Sequence, residues 1–182
     1  MRDPDGFTTF YTATHGRVLT AVRVTLGDDL LAHEAVDEAF TRAAERWASV
    51  SEMPNRVGWT YRVAVNWATS WRRKLALRPT RSVEALDRSH HDPTPDLDLI
   101  GALEHLDLDQ RQMLVLRYAI GCSVQEVAAT LGVAEGTVKS RVYRARQRLI
   151  EDGSWQLGPE DDDGEDAFET ERRDSEVLDG RA

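Results

Sequence analysis

The stretch VAEGTVKSRVYRARQRL, residues 133–149, decides how this chain folds and where its positive charge is used. At about 100° per residue, Val138, Val142, Ala145 and Leu149 fall within about 60° of one another, so they form one apolar stripe to be buried. Ser140, Tyr143 and Gln147 point away from that stripe, with Arg141, Arg144 and Arg148 on one flank and Lys139 and Arg146 on the other. Just upstream, Ser123 is placed to cap a short helix VQEVAATL, and Gly132 supplies a turn. A capped helix, a glycine turn and a second helix with outward cations spell a helix-turn-helix, whose second helix enters the DNA major groove. Flanking cations suit phosphates, while Lys139, Ser140 and Tyr143 are placed to approach base edges. A basic helix kept only for solubility is the competing reading. The glycine turn at the right offset and the capped helix before it favour DNA.

The whole-chain charge of -9 argues against such a partner until its distribution is seen. Residues 151–182 hold 13 of the 32 Asp/Glu and only 3 of the 23 Lys/Arg, leaving residues 1–150 close to neutral. Within that body the cations gather in the stretch quoted above and in WRRKLALRPTR, residues 71–81. Local patches of this kind can meet phosphates whatever the total charge. The acidic end, GPEDDDGEDAFETERRDSEVLDGRA, has too little apolar surface to order itself and reads as disordered.

Helical spacing recurs upstream. Phe7, Phe10, Tyr11, Val18, Val22 and Leu26 predict a first helix, ended by the GDD at residues 27–29. A second is predicted over about residues 29–48 with Ala32, Val36, Ala39, Phe40, Ala43 and Trp47 inside, then a loop, SVSEMPN. A third runs over about residues 55–77 and closes on a basic cluster before Pro79. Its Trp59, Trp67 and Trp71 are expected in the core rather than as wedges in DNA. Residues 79–97, with three prolines and few large apolar side chains, have the composition of a linker. Beyond it, short helices are expected over residues 97–106 and 109–120. The expected fold is therefore all-α: a helical domain at 6–78, a flexible linker at 79–97, a second helical domain at 98–152 and an acidic tail at 153–182.

No run is apolar enough to span a membrane, and the N-terminal MRDPDGFTTFY lacks the layout of a secretion signal, so a cytoplasmic protein without membrane insertion is expected. The single cysteine, Cys122, rules out an intrachain disulfide and reads as a small, partly buried side chain at a helix junction. The five histidines are scattered, and His33, Glu34, Asp37 and Glu38 have no matching ligand set on a second helix, so neither a metal site nor a cofactor is expected. With no nucleophilic or metal constellation either, an enzyme is not expected.

These residues resemble a known family. LDLDQRQMLVLRYAIGCSVQEVAATLGVAEGTVKSRVYRARQRL, residues 106–149, resembles the fourth region of sigma-70 family factors of the extracytoplasmic-function (ECF) group, with GTVKSRVYRAR as its specific core. GDDLLAHEAVDEAFTRA, residues 27–43, is similar to region 2.2, and WTYRVAVNWATSW, residues 59–71, to region 2.3 and its continuation into 2.4. The resemblance covers about residues 6–150. It departs from the common pattern at Asp107, where many members have proline, at Arg56, where an aromatic is usual, and at Asp37, in place of glutamine.

The resemblance implies a promoter-specificity subunit with no catalytic residues of its own. Glu34, Asp37 and Glu38, with Phe40 nearby, would dock on the clamp helices of the largest RNA polymerase subunit, and region 4 would meet its flap. Asn66 and Ser70 would face the unpaired non-template strand of the minus-ten element, the loop at 48–57 would shape a pocket for a flipped base, and Arg72, Arg73 and Lys74 would hold phosphates. Lys139, Ser140, Tyr143 and Arg144 would face the minus-thirty-five element, with Arg141 as a backbone contact or structural residue. The linker acids Glu84, Asp87, Asp92, Asp96 and Asp98 would lie on the path of nascent RNA. Many members are held by a dedicated anti-sigma protein, which makes such a protein a candidate partner. A stand-alone helix-turn-helix regulator, whose N-terminal half dimerises or senses a signal, is the alternative.

Overall fold

Three short polar signals set the helix boundaries. Gly27 takes a left-handed φ of +62°, which stops the first helix. Asp28 then caps the second, its carboxylate accepting from the Leu31 amide at 3.0 Å. Asn55 accepts from the Gly58 amide at 2.7 Å to start the next long helix. The computed structural model describes residues 4–76, 101–103, 105–151 and 153. In its N-terminal half these signals bound α1 (Pro4–Leu26), α2 (Asp29–Glu45), α3 (Trp47–Val50) and α4 (Arg56–Ala76).

The second helix was expected to run unbroken to residue 48, and instead it stops at Arg46, whose backbone leaves the helical region. The break brings the Trp47 ring under α1, with centroids 5.5 Å from Phe7 and 5.4 Å from Phe10. Burial of that indole outweighs continuity of a helix that has no glycine or proline at the break. The closest packing joins α2 to α4. The buried residues of the two helices are mostly small, among them Ala32, Ala35, Ala39 and Ala43 on α2 and Ala64, Val65 and Ala68 on α4, and small side chains allow helix axes to approach closely. Tyr61 is fully buried beside them. The Thr25 hydroxyl donates to the Ala21 carbonyl at 2.8 Å, so Tyr61 donates its own proton to Thr25 Oγ1 at 2.7 Å. Burial pushes the Tyr61 pKa well above the usual phenol value.

The C-terminal half is built the same way. Asp107 and Gln110 form a capping box that opens α5 (Leu108–Leu114), so the aspartate does start this helix. A π-helical turn over Val115–Ala119 then widens the helix end, with the Ile120 amide donating to the Val115 carbonyl. Gly121, at φ +71°, releases the chain. A second capping box, Ser123 with Glu126, opens α6 (Val124–Leu131). Gly132, at φ +71°, closes it, and α7 (Glu135–Glu151) follows. Val138, Ala145 and Leu149 are buried and Val142 packs at their edge, as the wheel requires.

The fold is all-α, with two small helical units. They meet along a seam where Arg17 donates to the Ile120 carbonyl, Arg111 to the Thr25 carbonyl at 3.2 Å, and Asn55 Nδ2 to Cys122 Sγ at 3.2 Å. Buried apolar residues run through the seam as one cluster. The linker at 79–97, with its acids Glu84, Asp87, Asp92, Asp96 and Asp98, and the acidic tail from residue 154 lie outside the described residues. Among the described residues no helix is long and apolar enough to cross a membrane.

Candidate nucleic-acid and protein-docking surfaces

On α7 the buried stripe forces the cations outward. Lys139, Arg144 and Arg148 are exposed, and Tyr143 is 37% exposed beside them. Arg144 is steered by its own helix, its Nε donating to the Ser140 carbonyl at 3.1 Å. Ser140 is half-buried, and its hydroxyl donates back to the Thr137 carbonyl. Arg141 takes the structural option, bonding Asp109 of α5 at 2.8 Å and so fastening α7 to the rest of its unit. The predicted residues therefore divide: Lys139, Tyr143 and Arg144 share the outward face, and Arg141 secures it.

A second surface lies between α2 and α4. Asn66 and Ser70 are both exposed on α4, and with Trp67, Trp71, Lys74 and Arg42 they line a groove of about 330 Å³. The tryptophans differ from expectation. Trp59 and Trp67 pack against the core, but Trp71 is 44% exposed and stacks face to face on Trp67, with centroids 5.7 Å apart and planes 6° from parallel. The reason is position along the helix. The buried residues of α4 end at Ala68, and every residue from 70 to 76 is exposed, so Trp71 lies beyond the core although it shares the phase of buried Thr60 and Ala64. Arg72 differs as well. It bonds the Leu26 carbonyl at 3.1 Å and Asp28 at 3.3 Å, securing the α1–α2 corner, while Arg73 and Lys74 stand exposed at the helix end.

The loop at 48–57 and the first half of α1 border a wider groove of about 580 Å³, lined by Thr9, Phe10, Thr14, Trp47, Pro54 and Arg56 among others. At its edge the Trp47 indole N–H is buried with no acceptor among the described residues. Nothing in the sequence marked this donor, because it depends on the chain break at Arg46. Cys122 sits at the seam, 2% exposed, and burial raises its thiol pKa against the opposing effect of the Asn55 hydrogen bond. That matches the small junction side chain expected.

The third surface is the outer face of α2. Glu34 and Asp37 are exposed, whereas Glu38 is drawn onto Arg42 one turn on, at 2.7 Å. Phe40 does not reach this surface. It is 3% exposed, with its ring centroid 5.8 Å from Phe10, 5.0 Å from Tyr11 and 5.4 Å from His15. It supports the acidic face from beneath and cannot contact a partner directly.

Known proteins agree with this architecture. Residues 96–149 match the family described as sigma-70, region 4. The chain is 32% identical over 142 residues to the RNA polymerase sigma-E factor of Streptomyces avermitilis, covering 74% of this chain and 78% of that protein. It is 34% identical over 144 residues to the ECF RNA polymerase sigma factor EcfG of Rhodopseudomonas palustris, covering 71% of this chain and 77% of that protein. Among solved structures, the sigma factor RpoE of Bartonella quintana, crystallised with the anti-sigma factor NepR, superposes with a TM-score of 0.65 at 28% identity, covering 80% of this chain and 95% of that one. The helix-turn-helix half and the α1–α4 half are thus matched together, and the chain belongs to the sigma-70 family of RNA polymerase sigma factors, in its ECF group.

Proposed function

We propose that this chain binds core RNA polymerase and directs it to promoters by placing α7 on the minus-thirty-five duplex and the α2–α4 groove on the unpaired minus-ten strand. The observation that carries the reading is the pairing of two chemically different surfaces on one chain. A cation-rimmed helix suits duplex DNA, and a parallel indole stack beside Asn66 and Ser70 suits unpaired bases. Lys139, Ser140, Tyr143 and Arg144 read or clamp the duplex, and Arg141 positions their helix. Asn66, Ser70, Trp67 and Trp71 meet the single strand, with Arg73 and Lys74 at its phosphates. The buried Trp47 N–H supports a base-accepting role for the groove beside the 48–57 loop.

Glu34 and Asp37 form the face offered to the polymerase clamp, Glu38 contributes through its pair with Arg42, and α5–α7 meet the polymerase flap. The protein changes no covalent bond itself and works in the cytoplasm, where the polymerase is. The NepR complex of the Bartonella relative supports an anti-sigma protein as a further partner. Run-off transcription with bacterial core polymerase and a promoter-fragment library tests the reading. Protein-dependent transcripts should appear with the native chain and be lost or weakened with Asp37→Arg and with Arg144→Ala. Duplex binding without any transcript would replace the reading with that of a stand-alone regulator.

A further inference from the structure

Most arginines that meet a carboxylate here do so within the fold: Arg23 with Asp29, Arg42 with Glu38, Arg72 with Asp28 and Arg141 with Asp109. The outer face of α7 is different. Lys139 on one flank and Arg144 and Arg148 on the other are exposed and bracket the outer face. Among the described residues none of the three is ion-paired, and Arg148 makes only a 3.4 Å bond to the neutral Gln110. Directly after this helix, residues 154–182 carry 11 Asp/Glu against 3 Arg, and the run EDDDGED at 160–166 packs six acids into seven positions. The junction between them is a turn, for Gly153 takes a left-handed φ of +73° and its amide donates to the Ile150 carbonyl at 3.0 Å. A glycine in that conformation takes the chain off the helix axis instead of prolonging it.

The distances match. From Lys139 to Gly153 along α7 is about 21 Å at the helical rise of about 1.5 Å per residue. The acidic run is 7 to 13 residues from Gly153 in sequence, and a random coil of that length spans a root-mean-square distance of about 15–20 Å. The run is thus held at an effective concentration on the order of millimolar over the one face whose charge it complements.

We propose that residues 160–166 dock on the outer face of α7, over Lys139, Arg144 and Arg148, and that duplex DNA must displace them to bind there. The proposal rests on the reading of α7 as the duplex-facing helix. The acidic run stands in for a phosphate backbone, so the free protein holds its own helix closed to weak, non-specific DNA. Displacing one polyanion with another releases fewer counterions than binding to a bare helix, so the salt dependence of DNA binding is flattened as well as its strength reduced.

The test compares the full chain with a full-length variant carrying Glu160→Gln, Asp161→Asn, Asp162→Asn, Asp163→Asn, Glu165→Gln and Asp166→Asn, using a mixed-sequence duplex of about 30 base pairs as probe. The variant should bind about ten-fold more tightly at about 50 mM salt, and the gap should shrink to under about two-fold near 300 mM, because both contacts are then screened. In the absence of DNA, backbone amide NMR resonances of residues 139–148 should differ between the two chains. Equal affinity at low salt overturns the proposal. So does a gain in affinity without movement of the α7 resonances, which would mean general repulsion of DNA by the tail, and so do resonance changes confined to Arg73 and Lys74, which would place the tail on α4. The resonance comparison needs no DNA, so failure of both chains to bind the duplex would count against the reading of α7 and leave tail docking to be decided by NMR.

Discussion

The outer faces of α4 and α7 both follow a stretch rich in arginine, yet the fold uses the two sets of cations in opposite ways. On α4, Arg72 is turned back to secure Leu26 and Asp28, and the outward surface is left to the Trp67–Trp71 stack, Asn66 and Ser70. On α7 Arg141 is turned back onto Asp109 and Arg148 reaches Gln110 at 3.4 Å, while Lys139 and Arg144 stand on the outside. A duplex presents one negative charge per about 1.7 Å of axis and keeps its bases stacked, so a rim of cations is its natural counterpart. An unpaired strand exposes base faces, and flat rings add stacking to weaker charge attraction. The difference teaches that a count of arginines does not locate a DNA surface. What decides is whether a carboxylate of the fold has already engaged them, as Asp28 engages Arg72 and Asp109 engages Arg141.

Three substitutions break or sharpen this contrast. Trp71→Ala has the largest expected effect. Stacking on one base is worth about 1–3 kcal/mol, so single-strand binding in the polymerase complex should fall roughly 5- to 150-fold, while duplex binding to α7 holds. Fluorescence titration with a minus-ten non-template oligonucleotide and with a minus-thirty-five duplex reads both arms, and an equal loss in the two would dissolve the distinction. Arg144→Ala should do the reverse, weakening the duplex about ten-fold by loss of one groove contact of about 1–2 kcal/mol and leaving the single strand alone. Arg72→Gln should have the smallest effect on DNA, under about two-fold in either assay, and should instead lower thermal stability by about 1 kcal/mol, the value of a typical hydrogen-bonded contact. A large single-strand defect in that variant would return Arg72 to the phosphate-binding role expected from sequence.

Much of this was legible before any coordinates. The cap at Ser123 and the positive-φ glycines at 27 and 132 are local signals, and each sits where the sequence put it. The α7 stripe is legible because its apolar residues are few and evenly phased. Trp71 was misplaced because type and phase both suggest burial, and only the length of the core, which ends at Ala68 on α4, leaves it exposed. Phe40 sits on the inner face of α2, where its helical spacing put it; its burial leaves the neighbouring acids, and not the ring, to form the outer surface. The break at Arg46 and the π turn at Val115–Ala119 carry no glycine or proline within them, and both are tertiary outcomes. The roles of Arg72 and Arg141 depend on distant partners that no spacing rule reveals.

The seam between the two helical units has a reciprocal design. Arg17 of the first unit reaches a main-chain carbonyl of the second, at Ile120, and Arg111 of the second reaches a main-chain carbonyl of the first, at Thr25. In this pair each unit brings one donor and one acceptor, and both acceptors are backbone atoms that every residue type supplies; only the third seam bond, from Asn55 to Cys122 Sγ, depends on the acceptor's side chain. The arginine bonds therefore leave the acceptor positions free to vary in sequence, so that the two units are matched to each other chiefly by Arg17, Arg111, the Asn55–Cys122 contact and the apolar surface they share.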